Sequence, residues 1–175
     1  PLGLAPSAST TVALALGDAL ALALSDARGF SAQDFAMTHP GGSLGRRLLI
    51  TVADVMHVGA GLPVVTPQTT VRDALFEISG KGLGMTAVCD AAGRLVGVFT
   101  DGDLRRALDG GLEVLTSPVE QVMTVAPRVL LNNQLASEAL YAMETYKVNG
   151  MPVLNQQGAL LGMLNMHDLL RAGIV

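Results

Sequence analysis

From residue 51 onward the spacing of apolar positions changes in the same order twice. Val71, Ala74, Leu75 and Ile78 fall at the interval of one helix face, and Thr70 is placed to cap that helix. Ala136, Ala139, Leu140 and Met143 repeat the interval. Each helix is followed by two short apolar runs, Met85 to Cys89 with Leu95 to Phe99, then Met151 to Leu154 with Leu160 to Leu164. Runs this short predict strands, and Gly93 and Gly158 mark the turns that join them. Another short helix begins near Asp101, with Leu104 and Leu108, and near Met166, with Leu169 and Leu170.

The two halves are copies of one unit. Asp73-Ala74-Leu75 matches Glu138-Ala139-Leu140, Gly93 matches Gly158 and Gly97 matches Gly162, all at an offset of 65. Upstream, Asp54-Val55-Met56 matches Gln121-Val122-Met123 at an offset of 67, a difference that a small loop change absorbs. Each copy reads strand, helix, strand, strand, helix. A lone three-stranded sheet covers the apolar stripes of its helices only in part, so the copies are expected to pack together about a pseudo-twofold axis. The expected fold class is α/β (α+β), two βαββα modules with a groove between them.

The first 50 residues follow another pattern. Ser9, Thr10 and Thr11 offer capping hydroxyls before a helix rich in Ala and Leu, which Gly29 closes after Arg28. The segment from Val12 to Leu24 is apolar on nearly every face and needs neighbours on several sides. Gly17, Asp18 and a run shorter than the roughly 20 residues of a membrane span favour a buried helix. Ser31 and Asp34 form a capping pattern for a short helical turn. His39 to Arg47, with one proline and three glycines, reads as a loop that either approaches an anion or connects two domains. The whole segment is expected to be the tail of a larger domain whose sheet lies upstream.

Composition narrows the function. With 50% hydrophobic and 15% charged residues the chain should fold. A net charge of -4, and no basic run longer than Arg46-Arg47 or Arg105-Arg106, argues against a nucleic-acid partner. Cys89 is the only cysteine, which excludes an internal disulfide or a multi-cysteine zinc site and fits a reducing cytoplasm. No spacing suggests a metal. His57 reads as a surface residue, and Met56, Met85, Met123, Met143 and Met151 read as core filler.

Candidate chemistry gathers at Gly97-Val98-Phe99-Thr100-Asp101-Gly102-Asp103-Leu104. A strand that ends at a hydroxyl and runs into a helix start suits a nucleotide. Asp103 can accept from both hydroxyls of a ribose with Thr100 beside it, while the plain alternative is that these side chains cap the helix. The second copy reads Gly162-Met163-Leu164-Asn165-Met166-His167-Asp168, so Asn165 stands where the first has Thr100 and Asp168 where it has Asp103. Arg105, Arg106 and Arg128 are the cations available for a phosphate.

On these residues the repeated unit resembles a tandem pair of CBS modules, regulatory domains that sense adenosyl compounds or nucleotides. The resemblance implies that Thr100 and Asp103 hold the ribose of an effector and that Asn165 and Asp168 form an altered second site. Arg105, Arg128 and His167 are secondary candidates. The stretch from Pro1 to Thr11, the block His39 to Arg46 and the stretch Met166 to Gly173 further resemble the arabinose 5-phosphate isomerases, in which a sugar isomerase (SIS) domain precedes the CBS pair.

That resemblance implies the end of the sugar isomerase domain over 1–47 and CBS modules over 48–112 and 113–175. It also implies an aldose-ketose exchange between D-ribulose 5-phosphate and D-arabinose 5-phosphate, on the way to the eight-carbon sugar acid of lipopolysaccharide. His39 aligns with a histidine implicated in that catalysis and acts only with the rest of the catalytic domain, so this chain alone is expected to be inactive. No cofactor is implied. The effector is an adenine nucleotide or a cytidine-linked sugar nucleotide, and the partners are the upstream domain and further copies of the chain. Neither nucleic acid nor membrane is expected, and the location is cytoplasmic. Two other readings stand beside this one: a ligand-free oligomerisation module, favoured by Asn165 and by Gly102 before Asp103, and a free-standing sensor.

Overall fold

A computed structural model describes residues 6–38, 42–109 and 113–174. Helices α1 (Ala8–Ala27), α2 (Ala32–Thr38), α3 (Ser43–Leu49) and α4 (Val52–Val55) come first. The first repeat supplies β1 (Val64–Val65), α5 (Val71–Lys81), β2 (Met85–Cys89), β3 (Leu95–Thr100) and α6 (Asp101–Asp109). The second supplies β4 (Thr124–Val125), β5 (Leu130–Leu131), α7 (Ala136–Tyr146), β6 (Gly150–Leu154), β7 (Leu160–Asn165) and α8 (Met166–Arg171).

The βαββα unit is present twice, for local reasons visible in both copies. Thr70 Oγ1 accepts from the Asp73 amide at 3.2 Å at the start of α5, and Gly82, at φ 71°, ends it in the left-handed region. At the start of α7 the Glu138 carboxylate accepts from the Leu135 amide at 3.0 Å. In each sheet the first strand is parallel to the second and the second antiparallel to the third. Both sheets carry a register shift at the same point, Val88/Cys89 and Val153/Leu154.

The repeats are joined by an exchange of their lead-in segments. Thr124, which precedes the second sheet in sequence, pairs with Val98 on the outer edge of the first. His57, which precedes the first sheet, pairs with Met163 on the outer edge of the second. The amides of Val52 and Val119 make the matching donations, to Gln134 and Thr69 carbonyls at 2.8 Å each. Each β3-type strand would otherwise present an unpaired edge, and the exchange covers it. The change of offset from 65 to 67 falls where the chain leaves one sheet to enter the other.

Three cores result. One centres on Phe99, Val88 and Val71 and includes Val119 of the second lead-in. Another centres on Leu164, Leu169 and Met151 and includes Val52 of the first. The third joins Met85, Ala87 and Cys89 to Met163 across the repeats. Arg94 bridges Ala159, its own counterpart at the offset of 65, so this pair marks the pseudo-twofold axis.

The N-terminal segment departs from expectation in three ways. α1 starts at Ala8, with the Thr10 and Thr11 hydroxyls donating to the Ser7 carbonyl rather than capping. It is 20 residues long and has no buried residue, so its length meets the requirement for a membrane span and the neighbours expected around it are not among the described residues. The expected loop is helical from Ser43, because Arg47 Nε donates to the Ile174 carbonyl at 2.9 Å and Ser137 Oγ to the Arg47 carbonyl at 3.0 Å, which ties α3 to the second repeat. The helical turn at Ser31 and Asp34 forms as expected, as α2. His39 lies outside the described residues.

The entry to the first repeat is held by one acidic cap. The amide and hydroxyl of Thr51 donate to Asp54 Oδ2 at 2.8 and 2.6 Å. The hydroxyl bond, then the amide bond, holds the Asp54 carboxyl below its usual range. A depressed folded pKa stabilises the fold above the unfolded value of about 3.9 and ceases to do so as pH falls through the folded value. Thr51→Val is therefore expected to lower stability by about 0.5–1 kcal/mol at pH 7. In urea titrations the difference should shrink once the pH is low enough to protonate Asp54, and a difference that persists there would show that Asp54 is not its source.

Candidate functional site

The hollow that bears on function lies between the repeats. It encloses about 480 Å³ and is lined by Leu83 to Met85 and Thr100 to Asp103 from the first repeat, with Thr124, Arg128 and Lys147 to Pro152 from the second. Its floor forms where β3 ends and α6 begins. Thr100 donates to Asp103 Oδ2 twice, from its amide at 2.9 Å and from its hydroxyl at 2.6 Å, while the Asp103 amide donates back to Thr100 Oγ1 at 3.3 Å. The capping reading of these residues is thus realised, and both residues line the hollow. One arrangement starts the helix and fixes the carboxylate at the hollow.

Asp103 is 2% exposed, and its second oxygen is also occupied. Thr124 Oγ1 donates to Asp103 Oδ1 at 2.7 Å, and Arg106 pairs with the same oxygen. The carboxylate's partners therefore come from α6, from the end of β3 and from the exchanged lead-in. Of the cations expected, Arg128 lines the hollow, whereas Arg105 is exposed and lies outside the lining. Arg106, also expected, lines the hollow and pairs with Asp103. The i,i+3 spacing from Asp103 on one helix face was the signal that separates Arg106 from its neighbour. Thr124 and Lys147 had no local signal, because the fold of the other repeat brings them in.

The second aspartate repeats this geometry with different chemistry. The Asn165 amide donates to Asp168 Oδ2 at 3.1 Å, and the Asp168 amide donates to Asn165 Oδ1 at 3.0 Å. Asn165 lacks the hydroxyl donor that Thr100 supplies. His57, expected as a bare surface residue, is the counterpart of Thr124, and its Nε2 donates to Asp168 Oδ1 at 2.9 Å. A carboxylate only accepts, so Nε2 carries the proton. Val98 lines the hollow in the first repeat, whereas its counterpart Met163 is fully buried and does not. Asn165, His167 and Asp168 do not line the hollow at Asp103, and His167 is exposed on α8.

Cys89 lies in the core between the repeats, where burial, and then the nearby Asp90 charge, push its thiol up. It stays protonated and serves as packing. No buried side-chain polar atom lacks a partner among the described residues, so nothing in the hollow is held ready by an unmet bond alone.

Residues 50–110 and 119–174 match the sequence pattern of the CBS domain. The chain belongs to the CBS-domain family. Over all 175 residues this CBS pair is 57% identical to the arabinose 5-phosphate isomerase KdsD of Pseudomonas aeruginosa and 50% identical to that of Escherichia coli. It covers 54% and 53% of those two proteins, so the chain spans about half the length of the curated relatives it matches. Among solved structures, CBSX2 in complex with AMP is 33% identical, with a TM-score of 0.62 over 71% of this chain and 96% of that one. A conserved protein from Pyrococcus horikoshii is 27% identical, with a TM-score of 0.63 over 70% of this chain and 91% of that one.

Proposed function

We propose that this CBS pair is the effector-sensing part of an arabinose 5-phosphate isomerase and that the hollow at Thr100 and Asp103 receives a nucleotide. The observation that carries the reading is a buried carboxylate beside a hydroxyl on the wall of a hollow built by both repeats. Two vicinal ribose hydroxyls are donors that such a carboxylate accepts when they take the place of Thr124 and Arg106 on Oδ1. The full-length match to the KdsD proteins and the AMP complex of CBSX2 support it.

In this reading residues 1–47 end a sugar isomerase domain, 48–112 and 113–175 are the two modules, and the complete protein interconverts D-ribulose 5-phosphate and D-arabinose 5-phosphate in the cytoplasm, with His39 taking part in catalysis. The exposed Leu14, Leu16, Leu20, Leu22 and Leu24 of α1 then pack against the rest of that domain. The effector is an adenine nucleotide or a cytidine-linked sugar nucleotide, and copies of the protein associate.

The test is calorimetric titration of the full chain with AMP and with a cytidine-linked sugar nucleotide. One equivalent per chain is expected, because His57 holds Asp168 Oδ1 and Asn165 lacks the hydroxyl that Thr100 supplies. Heat from neither compound would favour a ligand-free oligomerisation module. Two equivalents would show that the second site is open.

A further inference from the structure

Positive charge is unevenly committed around the hollow. Arg106 is paired with Asp103, so those two charges cancel. Arg128 and Lys147 also line the hollow, on the wall made by residues 127–152, and neither has an ion-pair partner among the described residues. Asp101 is the one carboxylate of the lining left to set against them.

Both cations are placed by specific structure. The Arg128 guanidinium lies 4.6 Å from the centre of the Tyr146 ring. Stacking occupies its face and leaves its edge donors free for an anion. Lys147 closes α7 in the left-handed region, at φ 54°, where the first repeat closes α5 with Gly82. A side chain in that conformation is strained, a cost that glycine avoids. Closing the helix therefore does not require lysine. Arg128 stands two residues before Leu130 as Pro63 stands two before Val65, so the repeat does not require a cation there either.

We propose that Arg128 and Lys147 form a subsite for a second anionic group, so that the hollow selects nucleotides bearing two anionic groups, such as nucleoside diphosphates, over monophosphates. The proposal rests on the nucleotide reading of the hollow. A ribose on Asp103 leaves its first phosphate near the opening turn of α6 and beside Arg106, whose charge Asp103 already offsets. The two uncommitted cations of the other wall then meet the next anionic group.

The test is titration of the full chain with AMP, ADP, CMP and CDP, repeated on Arg128→Gln and on Lys147→Gly. For at least one base, the diphosphate should bind about tenfold or more tightly than the monophosphate. Each variant should erase most of that gain and change monophosphate affinity less than twofold. Lys147→Gly should melt no lower than the parent protein, since glycine suits the backbone there, so its loss of binding cannot be put down to unfolding. Equal affinity for mono- and diphosphates would overturn the subsite and leave the nucleotide reading standing, as would variants that weaken both alike. No binding of any of the four would overturn the nucleotide reading, and the subsite with it.

Discussion

Replacing Gly162 by alanine is expected to lower the stability of this protein by about 3 kcal/mol, the largest loss we expect from adding one carbon. A Cβ at Gly162 would lie 2.6 Å from the His57 carbonyl oxygen and 2.7 Å from Met56 Sδ. The oxygen cannot retreat freely, since it accepts from the Met163 amide at 3.1 Å while the His57 amide donates to the Met163 carbonyl at 2.8 Å. Making room means lifting the first lead-in from the edge of the second sheet. Gly97→Ala meets the counterpart contacts, Met123 Sδ at 2.5 Å and the Thr124 carbonyl at 3.0 Å. There the closest atom belongs to a flexible side chain and the backbone oxygen is farther away, so a loss of about 1–2 kcal/mol is expected. Gly80 in α5 has nothing within 4 Å of its Cβ position, and Gly80→Ala should raise stability by about 0.5–1 kcal/mol. Thermal melts should therefore rank Gly162→Ala lowest, then Gly97→Ala, the parent and Gly80→Ala, with about 6–12 °C between the first and the parent. Were Gly162→Ala to melt with the parent, the exchanged lead-ins would not be what joins the repeats.

The same contacts show what the sequence could reveal. The paired glycines and the paired Met56 and Met123 are visible as matches, but nothing local says that each methionine lies over the glycine of the opposite repeat. Helices and strands of the repeats are legible because their apolar period and caps act within a few residues. The exchange is not, since the lead-ins pair through two residues or one and so leave no alternating pattern. Its trace is the shift in offset. His57 illustrates the limit: alone in sequence it has no partner, and only its equivalence to Thr124 places it on Asp168. The segment after Gly42 misleads in the other direction, because its glycines suggest a loop while tertiary bonds to Ser137 and Ile174 hold it helical. The apolar character of α1 is legible, and so is the need for neighbours.

The site itself was half legible for a related reason. A polar side chain three residues before a carboxylate at a helix start is the same pattern whether it caps the helix or meets a ligand, and here it does the first in both repeats, as a hydroxyl at Thr100 and an amide oxygen at Asn165. What separates them is which carboxylate lines the hollow between the repeats, and that depends on residues brought in by the other lead-in or repeat: Thr124, Arg128 and Lys147 at Asp103, His57 at Asp168.

That difference yields the sharpest expectation for binding. Asp103→Asn keeps the size of the side chain and one oxygen, which still accepts from the amide and hydroxyl of Thr100, so α6 should remain capped. The amide nitrogen that replaces Oδ1 is a donor; the Thr124 hydroxyl can turn to accept from it, but Arg106 only donates and loses its acceptor. A ribose hydroxyl that must donate at this point finds no acceptor. Bonds to a charged acceptor contribute about 1.5–3 kcal/mol each, so nucleotide affinity should fall on the order of 100-fold. Asp168→Asn makes the same chemical change outside the hollow and should leave affinity within twofold while loosening His57. Calorimetry on the two variants, with circular dichroism to confirm folding, separates the sites. Binding by Asp103→Asn at the parent affinity would remove Asp103 from the site, and equal losses in both variants would mean that the repeats bind as equals despite His57.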